Sequence, residues 1–325
     1  DMQSSVNSDP TNTFINSSDS IEQYMVSLQA TSIQGCVDNA NRRVTVYPKP
    51  IADFSVNNTQ GCHPLNVTFT NNSSLADSCL WLYGDADTFK LCSPTNSHTY
   101  TNETSFFPID YQSNLIVYTD LGCSDTMNQR ITVNPKVTAD FVSDSAGCSP
   151  LSIRFQNQSV GGNQFEWFYG DGGGSPLQNP RHFFQNFGQQ DTVYTTRMVV
   201  TNTNYGCKDT LEKDITVFPK PLADFTMNTN GGCQPLVVEF TNNSTIADSC
   251  SWVYGDMNTL NNCNTVTSHT FTNTLSLGPI NYMPELRVYT NKGCADTLSR
   301  NVEVKPQVIA DFTSPDTACS PLDAT

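Results

Sequence analysis

Apolar and polar residues alternate in short runs, and the runs return. Leu65-x-Val67-x-Phe69, Leu151-x-Ile153-x-Phe155 and Leu236-x-Val238-x-Phe240 each place an apolar side chain at every second position. Such a period buries one face of a β-strand and leaves the other to water. Asn71-Asn72-Ser73 then reads as a turn. Ile109-x-Tyr111, Leu115-x-Val117 and Ile131-x-Val133 supply the last two strands of the same segment. Helix periodicity is nearly absent. Strand signals every 8–12 residues or so predict a β-sandwich.

The pattern repeats at two levels. A shift of 171 superimposes Cys36 on Cys207, Cys62 on Cys233, Cys79 on Cys250, Cys92 on Cys263, Cys123 on Cys294 and Cys148 on Cys319. Ala-Asp-Phe also recurs at 52–54, 139–141, 223–225 and 310–312, in steps of 87, 84 and 87 residues. Each step carries Cys-x-Pro-Leu, an aromatic-Gly-Asp turn, Gly-Cys-x-Asp-Thr and a Val-rich run ending in Pro. Longer copies, A, alternate with a shorter copy, B. The expected domains are 1–48 (end of a B copy), 49–135 (A), 136–219 (B), 220–306 (A) and 307–325 (start of a B copy). Asp1 aligns with Asp171, inside a turn motif, and Ser320-Pro321-Leu322 repeats Ser149-Pro150-Leu151. The expectation is a piece of a longer repeat array.

Linkers are four residues long: 48–51, 135–138, 219–222 and 306–309. They contain Pro and β-branched or apolar residues, unlike flexible Gly/Ser tethers. The expectation is a stiff rod extending about 35–45 Å per repeat, with Ile51, Leu222 or Ile309 packed against the preceding domain. Trp81, Trp167 and Trp252 share one repeat position and are the three tryptophans of the chain. They are expected in the cores between two sheets.

Domains of this size bury modest cores and commonly need staples. The chain has 12 cysteines and no Cys-x-x-Cys, which suits disulfides in an oxidising exterior rather than zinc. The B copy carries only Cys148 and Cys207. If pairing stays within a domain, these two join, and by equivalence so do Cys62–Cys123 and Cys233–Cys294. Cys79–Cys92 and Cys250–Cys263 then close short loops. Cys36 and Cys319 are left for partners outside the chain. In the chain-entropy model the long loops contribute roughly 4 kcal/mol each and the short ones about 3.

The net charge is -15, from 16 Lys plus Arg against 31 Asp plus Glu, and charged residues make up 14% of the chain. No basic stripe exists, so nucleic acid is not an expected partner. No run of 18 apolar residues occurs, so no membrane-spanning helix is expected.

Trp-x-Tyr-Gly-Asp, with Asn179-Pro180-Arg181-His182-Phe183 or Ser97-His98-Thr99-Tyr100 after it, resembles the PKD domain. That family's signature is Trp-Asp-Phe-Gly-Asp-Gly and later Asn-Pro-Ser-His-Thr-Tyr. The resemblance covers essentially the whole chain and implies an Ig-like sandwich. Leu82, Phe168 and Val253 replace the family's Asp, and Tyr83, Tyr169 and Tyr254 its Phe, so a site using that Asp is not carried over. The array also resembles those of giant Bacteroidota surface proteins, including gliding adhesins of the SprB type. This implies a cell-surface protein exported across the outer membrane by type IX secretion.

His98, His182 and His269 share one repeat position and read as structural hydrogen-bonding residues. His63 is replaced by Ser149 and Gln234 in sister copies and reads as incidental. No Ser-His-Asp or Cys-His set stands out, so no enzyme is expected. No cofactor is expected either. Calcium candidates are Asp85, Asp87, Asp171 and Asp256, but their spacing matches no dedicated calcium loop, and solvated turns are preferred. Asp-Ser/Thr followed by a small or aliphatic residue resembles the O-glycosylation acceptor of exported Bacteroidota proteins. It marks Ser20, Thr126, Ser145, Thr192, Thr210, Thr297 and Thr317. The competing reading is a hairpin turn beside a disulfide.

The leading expectation is a structural segment of a long extracellular adhesin or filament, for surface adhesion or gliding motility. Its partners would be neighbouring repeats, surface or polysaccharide ligands through a distal region, and other chains packed laterally. The alternative is a polysaccharide- or protein-binding PKD module of a secreted hydrolase.

Overall fold

The period-two runs form strands with the parity that the apolar residues set. A computed structural model describes residues 4–104, 106–274 and 277–313. Cys319 and Thr317 lie outside them. The chain is all-β, a tandem of Ig-like sandwiches tied by disulfides.

A hairpin comes first, β1 (Glu22–Thr31) and β2 (Val37–Val46). The first A copy follows with β3 (Phe54–Val56), β4 (Gln60–Cys62), β5 (Leu65–Asn71), β6 (Ser78–Leu82), β7 (Thr88–Phe89), β8 (Thr95–Tyr100), β9 (Ile109–Tyr118) and β10 (Ser124–Asn134). One sheet has the order β3-β5-β8, the other β4-β10-β9-β6-β7. All pairs in them are antiparallel except β4 with β10, which runs parallel and sets Cys62 opposite Asn134.

The core lies between these sheets. Val67, Phe69, Trp81, Leu115, Val117, Ile131 and Val133 are fully buried. The Trp81 ring meets Phe54 at 5.2 Å and Phe69 at 5.5 Å, edge to face. Trp167 meets Phe141 at 5.0 Å, and Trp252 meets Phe225 at 5.2 Å. Each tryptophan therefore ties the Ala-Asp-Phe strand of one sheet to the other sheet.

The chain divides into two compact units. One is Asp1–Asp140 with Gln158–Phe165 and Val199–Thr210; the other is Phe141–Asn157 with Glu166–Met198 and Leu211–Thr325. Each contains one A copy and part of the B copy.

Linker parity differs from the expectation. Pro50, Ala52 and Phe54 point inward, and so do Pro221, Ala223 and Phe225. Ile51 and Leu222 therefore point outward, each 57% exposed. They do not pack on the preceding copy. Ile51 bridges Ser74 and Leu222 bridges Thr245, both in the copy that follows the linker. In an extended chain a shift of one residue reverses every side chain, and the buried Ala and Phe had already set the register.

The tryptophan contacts are testable. Trp252→Ala should cost its repeat about 3–5 kcal/mol, the usual loss for a buried aromatic. Amide exchange should then accelerate across 249–253 and 285–289, while the strands around Trp81 keep their protection. Unchanged exchange at 249–253 would contradict the packing described.

Candidate functional site: the staples between copies

A strand's length decides which cysteines can meet. Cys62 lies opposite Asn134, at the far end of β10. Cys123 immediately precedes β10 at the β9–β10 tip. Eleven residues of strand separate the two ends, about 35 Å, whereas a disulfide needs Cα atoms within about 7 Å. The B copy is built alike: Cys148 pairs with Phe218 at the end of the strand Cys207–Phe218, which Cys207 begins. The expected pairs Cys62–Cys123, Cys148–Cys207 and Cys233–Cys294 therefore do not form.

The bonds run instead from one copy to the next. Cys62 joins Cys207 with Cα atoms 5.6 Å apart, and Cys148 joins Cys294 at 5.5 Å. Each links a Cys-x-Pro strand to the Gly-Cys hairpin of the following copy. Cys79–Cys92 and Cys250–Cys263 close their short loops. Cys36, Cys123 and Cys233 carry free thiols.

The residue after each Cys-x-Pro cysteine has a shared task. His63 Nδ1 accepts from the Asn102 N–H (2.9 Å), Ser149 Oγ from the Asn186 N–H (2.8 Å) and Gln234 Oε1 from the Asn273 N–H (2.9 Å). His63 is thus not incidental; three residue types supply one acceptor. The asparagines are buried. Their Nδ2 groups donate to Val133, Val217 and Val304 carbonyls, all at 2.8 Å, fixing the loop to the last strand. Sequence reasoning missed Asn102, Asn186 and Asn273. Their signal was a fixed place two residues after Tyr100, Phe184 and Phe271.

The three repeat-position histidines sit in a second recurring cluster. Nε2 of His98, His182 and His269 lies 2.6 Å from Oδ2 of Asp85, Asp171 and Asp256. Their rings stack on Tyr83, Tyr169 and Tyr254 at 4.1, 3.9 and 4.0 Å. The other carboxylate oxygen caps the turn, accepting from the N–H of Asp87, Gly173 or Asn258. Gly84 is required there: its φ is +93°, and a Cβ would fall 2.7 Å from the Gln112 carbonyl oxygen. Of the calcium candidates, Asp85 and Asp87 meet beside His98. Gly173 and Asn258 take the place of Asp87 in the other copies, and both oxygens of Asp85 already have protein partners.

The Asp of Asp-Thr turns inward. Oδ2 of Asp125, Asp209 and Asp296 accepts from the Ala52, Ala139 and Ala223 N–H at 3.0, 2.7 and 3.0 Å. Lys49 pairs with Asp125 at 2.6 Å and Lys220 with Asp296 at 2.7 Å. The following Thr126, Thr210 and Thr297 are exposed, as are Ser20 and Ser145, while Thr192 is half-buried. The hydrogen bond from Lys49, with the Ala52 N–H, holds the Asp125 carboxyl below its usual range. Burial pushes Asp296 up, but Lys220 and the Ala223 N–H outweigh it and the net shift is downward.

No protein-family model matches the chain, and no curated protein does. Among solved structures it is similar to the PKD1 domain of the Vibrio cholerae metalloprotease PrtV, with 30% identity over 27% of this chain and 99% of that one (TM-score 0.22). It is similar to a three-Ig structure of titin domains, with 12% identity over 80% and 99% (TM-score 0.41). A structure from a 1.5-MDa bacterial ice-binding adhesin gives 10% identity over 80% and 99% (TM-score 0.28).

The aspartate caps make stability acid-sensitive. The folded state lowers the pKa of Asp125 and Asp296 below about 3.9, the unfolded value. Their contribution is therefore full above that value and is lost as pH falls through the folded one. Asp125→Asn with Asp296→Asn should lower stability at pH 6 by about 1 kcal/mol per site, and the gap from the parent should close towards pH 2. Melting curves from pH 6 to 2 check this; a gap independent of pH would contradict it.

Proposed function

We propose that the chain is a load-bearing segment of an extracellular, cell-surface stalk, with a structural rather than an enzymatic role. The observation that carries this is the overlap of the two long staples. Cys148 lies inside the loop closed by Cys62–Cys207, and its partner Cys294 lies outside it. Between Cys62 and Cys294 the oxidised chain thus offers two covalent paths, of 73 residues (62 to 148, cut across Cys79–Cys92) and 74 residues (207 to 294, cut across Cys250–Cys263), in place of 232. Tension reaches a covalent limit early, even if every sandwich opens.

Other features agree with this reading. Disulfides persist in oxidising surroundings, which suits an exported protein. The described histidines are engaged: three with aspartate and tyrosine, His63 with a backbone N–H. The proposed domains follow the boundaries 49–135, 136–219 and 220–306, with neighbouring copies as mutual partners. A distal region would meet the surface or polysaccharide ligand. Export from a Bacteroidota cell and a part in gliding motility are finer forms of the same proposal.

Single-molecule stretching tests the load path. With about 3.5 Å per extended residue, the Cys62–Cys294 span should yield at most about 260 Å when oxidised and about 800 Å when reduced. An oxidised span stretching to the reduced length would refute the load-bearing role. Glycans are a separate proposal on the exposed Thr126, Thr210 and Thr297. Native material should then exceed its sequence mass, with sugar on these residues, and bare threonines at all three would end that idea.

A further inference from the structure

The outer face of the B copy sets like charges against each other. Arg154 and Arg181 lie directly opposite in the antiparallel pair of Leu151–Arg154 with Arg181–Phe184. Both are exposed, since the alternate positions Ile153 and Phe184 are buried. Like charges in such a pair repel. Neither guanidinium has an ion-pair or hydrogen-bond partner among the described residues. The A copies avoid the repulsion: the same register holds Thr68 opposite Ser97, and Glu239 opposite Ser268. With 16 Lys plus Arg against 31 Asp plus Glu, carboxylates are plentiful in this chain, yet both arginines stay unneutralised.

A cleft of about 600 Å³ lies beside Arg154. Its cause is local. In the A copies six residue pairs join the two strands, and here four do. Pro180 precedes Arg181 and has no N–H to extend the ladder. The Phe155 N–H still reaches the Pro180 carbonyl (2.9 Å), but the Asn157 N–H turns to Asn179 Oδ1 (2.9 Å). The strands part there. Val142, Ser143, Asp144, Asn157 and Asn179 wall the cleft together with Arg154. On the other side of the arginine pair, two residues along the same strand face, Phe183 stands opposite Ser152 and is 60% exposed. The A copies have Thr99 and Thr270 in its place.

We propose that this face of the B copy binds a polysaccharide whose sugars carry carboxylate or sulfate groups. The fork of a guanidinium matches such an anion in two parallel hydrogen bonds, and one anion between Arg154 and Arg181 relieves the repulsion of both. Ser143, Asp144 and the Asn179 Nδ2 group suit sugar hydroxyls, which donate and accept. Asp144 also discriminates. It accepts from a hydroxyl, but it repels a polymer charged at every unit and free of such hydroxyls, and the net charge of -15 adds to that repulsion. The exposed Phe183 ring offers its flat face to the apolar side of a sugar. The site uses residues of the B copy alone and does not depend on the load-bearing reading. In a stalk it would add contacts along the length.

The test is calorimetric titration of the full, oxidised chain with three probes: short galacturonate oligomers, the same oligomers fully methyl-esterified, and sulfated dextran oligomers. The chain should bind the galacturonate or the sulfated probe, and the preference between them tells carboxylate from sulfate. The uncharged ester should bind about tenfold or more weakly than galacturonate if carboxylate is the ligand. Arg154→Thr with Arg181→Ser writes the first A copy's pair into the same register. This variant should lose about tenfold or more in affinity for the preferred probe, the loss of one charge-assisted pair. It should melt no lower than the parent, because a repulsion is removed. Phe183→Thr, again the A-copy residue, should also weaken binding without lowering the melting temperature. No binding of either charged probe would overturn the proposal, as would full affinity in the double arginine variant. Inorganic polyphosphate binding as tightly as the glycans would overturn it as well, and a double variant melting well below the parent would assign the arginines to the fold instead.

Discussion

The parallel pairing of a short Cys-x-Pro strand with the end of a repeat's last strand governs this molecule. In the first A copy that pairing holds Cys62 opposite Asn134, while Cys123 stands at the other end of β10. The two cysteines of one copy are kept about a strand's length apart. Neither can be satisfied at home, and each must look to an adjacent copy. The sandwich thus exports its disulfide bonds, and the repeat becomes the unit of a covalent ladder rather than a closed domain.

The energetic consequence differs from that of a domain stapled within itself. Cys62–Cys207 and Cys148–Cys294 span 145 and 146 residues, so each removes about 5 kcal/mol of loop entropy from the unfolded chain in the chain-entropy model. The loops overlap, and the two values do not simply add. Each staple also couples the opening of one copy to that of its neighbour. The short Cys79–Cys92 and Cys250–Cys263 loops remain local.

Polar side chains do the rest of the positioning, and they do so identically in each copy. An Asp–His pair stacked on tyrosine fixes the central turn. A buried Asn fixes the loop that faces the staple, and an inward Asp fixes the linker. The His Nε2, the Asn Nδ2 and the Asp Oδ2 of these sets each bond the backbone or a neighbouring side chain. The same structural contacts recur in each copy.

Local chemistry was legible in the sequence because it depends on neighbours along the chain. The alternation at Leu65-Val67-Phe69 set the strand face, the position of Trp81 marked the core, and thirteen residues from Cys79 to Cys92 closed a loop. Linker parity was misread: the buried Ala52 and Phe54 count back to Pro50 and leave Ile51 outside, not packed on the preceding copy as expected. Two things needed the tertiary structure. The acceptor role shared by His63, Ser149 and Gln234 hides behind unlike residue types and appears only when the Asn102-type amide stands beside them. The partner of Cys62 depended on which ends of two strands meet. Counting cysteines within a copy cannot report that, because pairing follows distance in space and a rigid strand puts about 35 Å between thiols of the same copy.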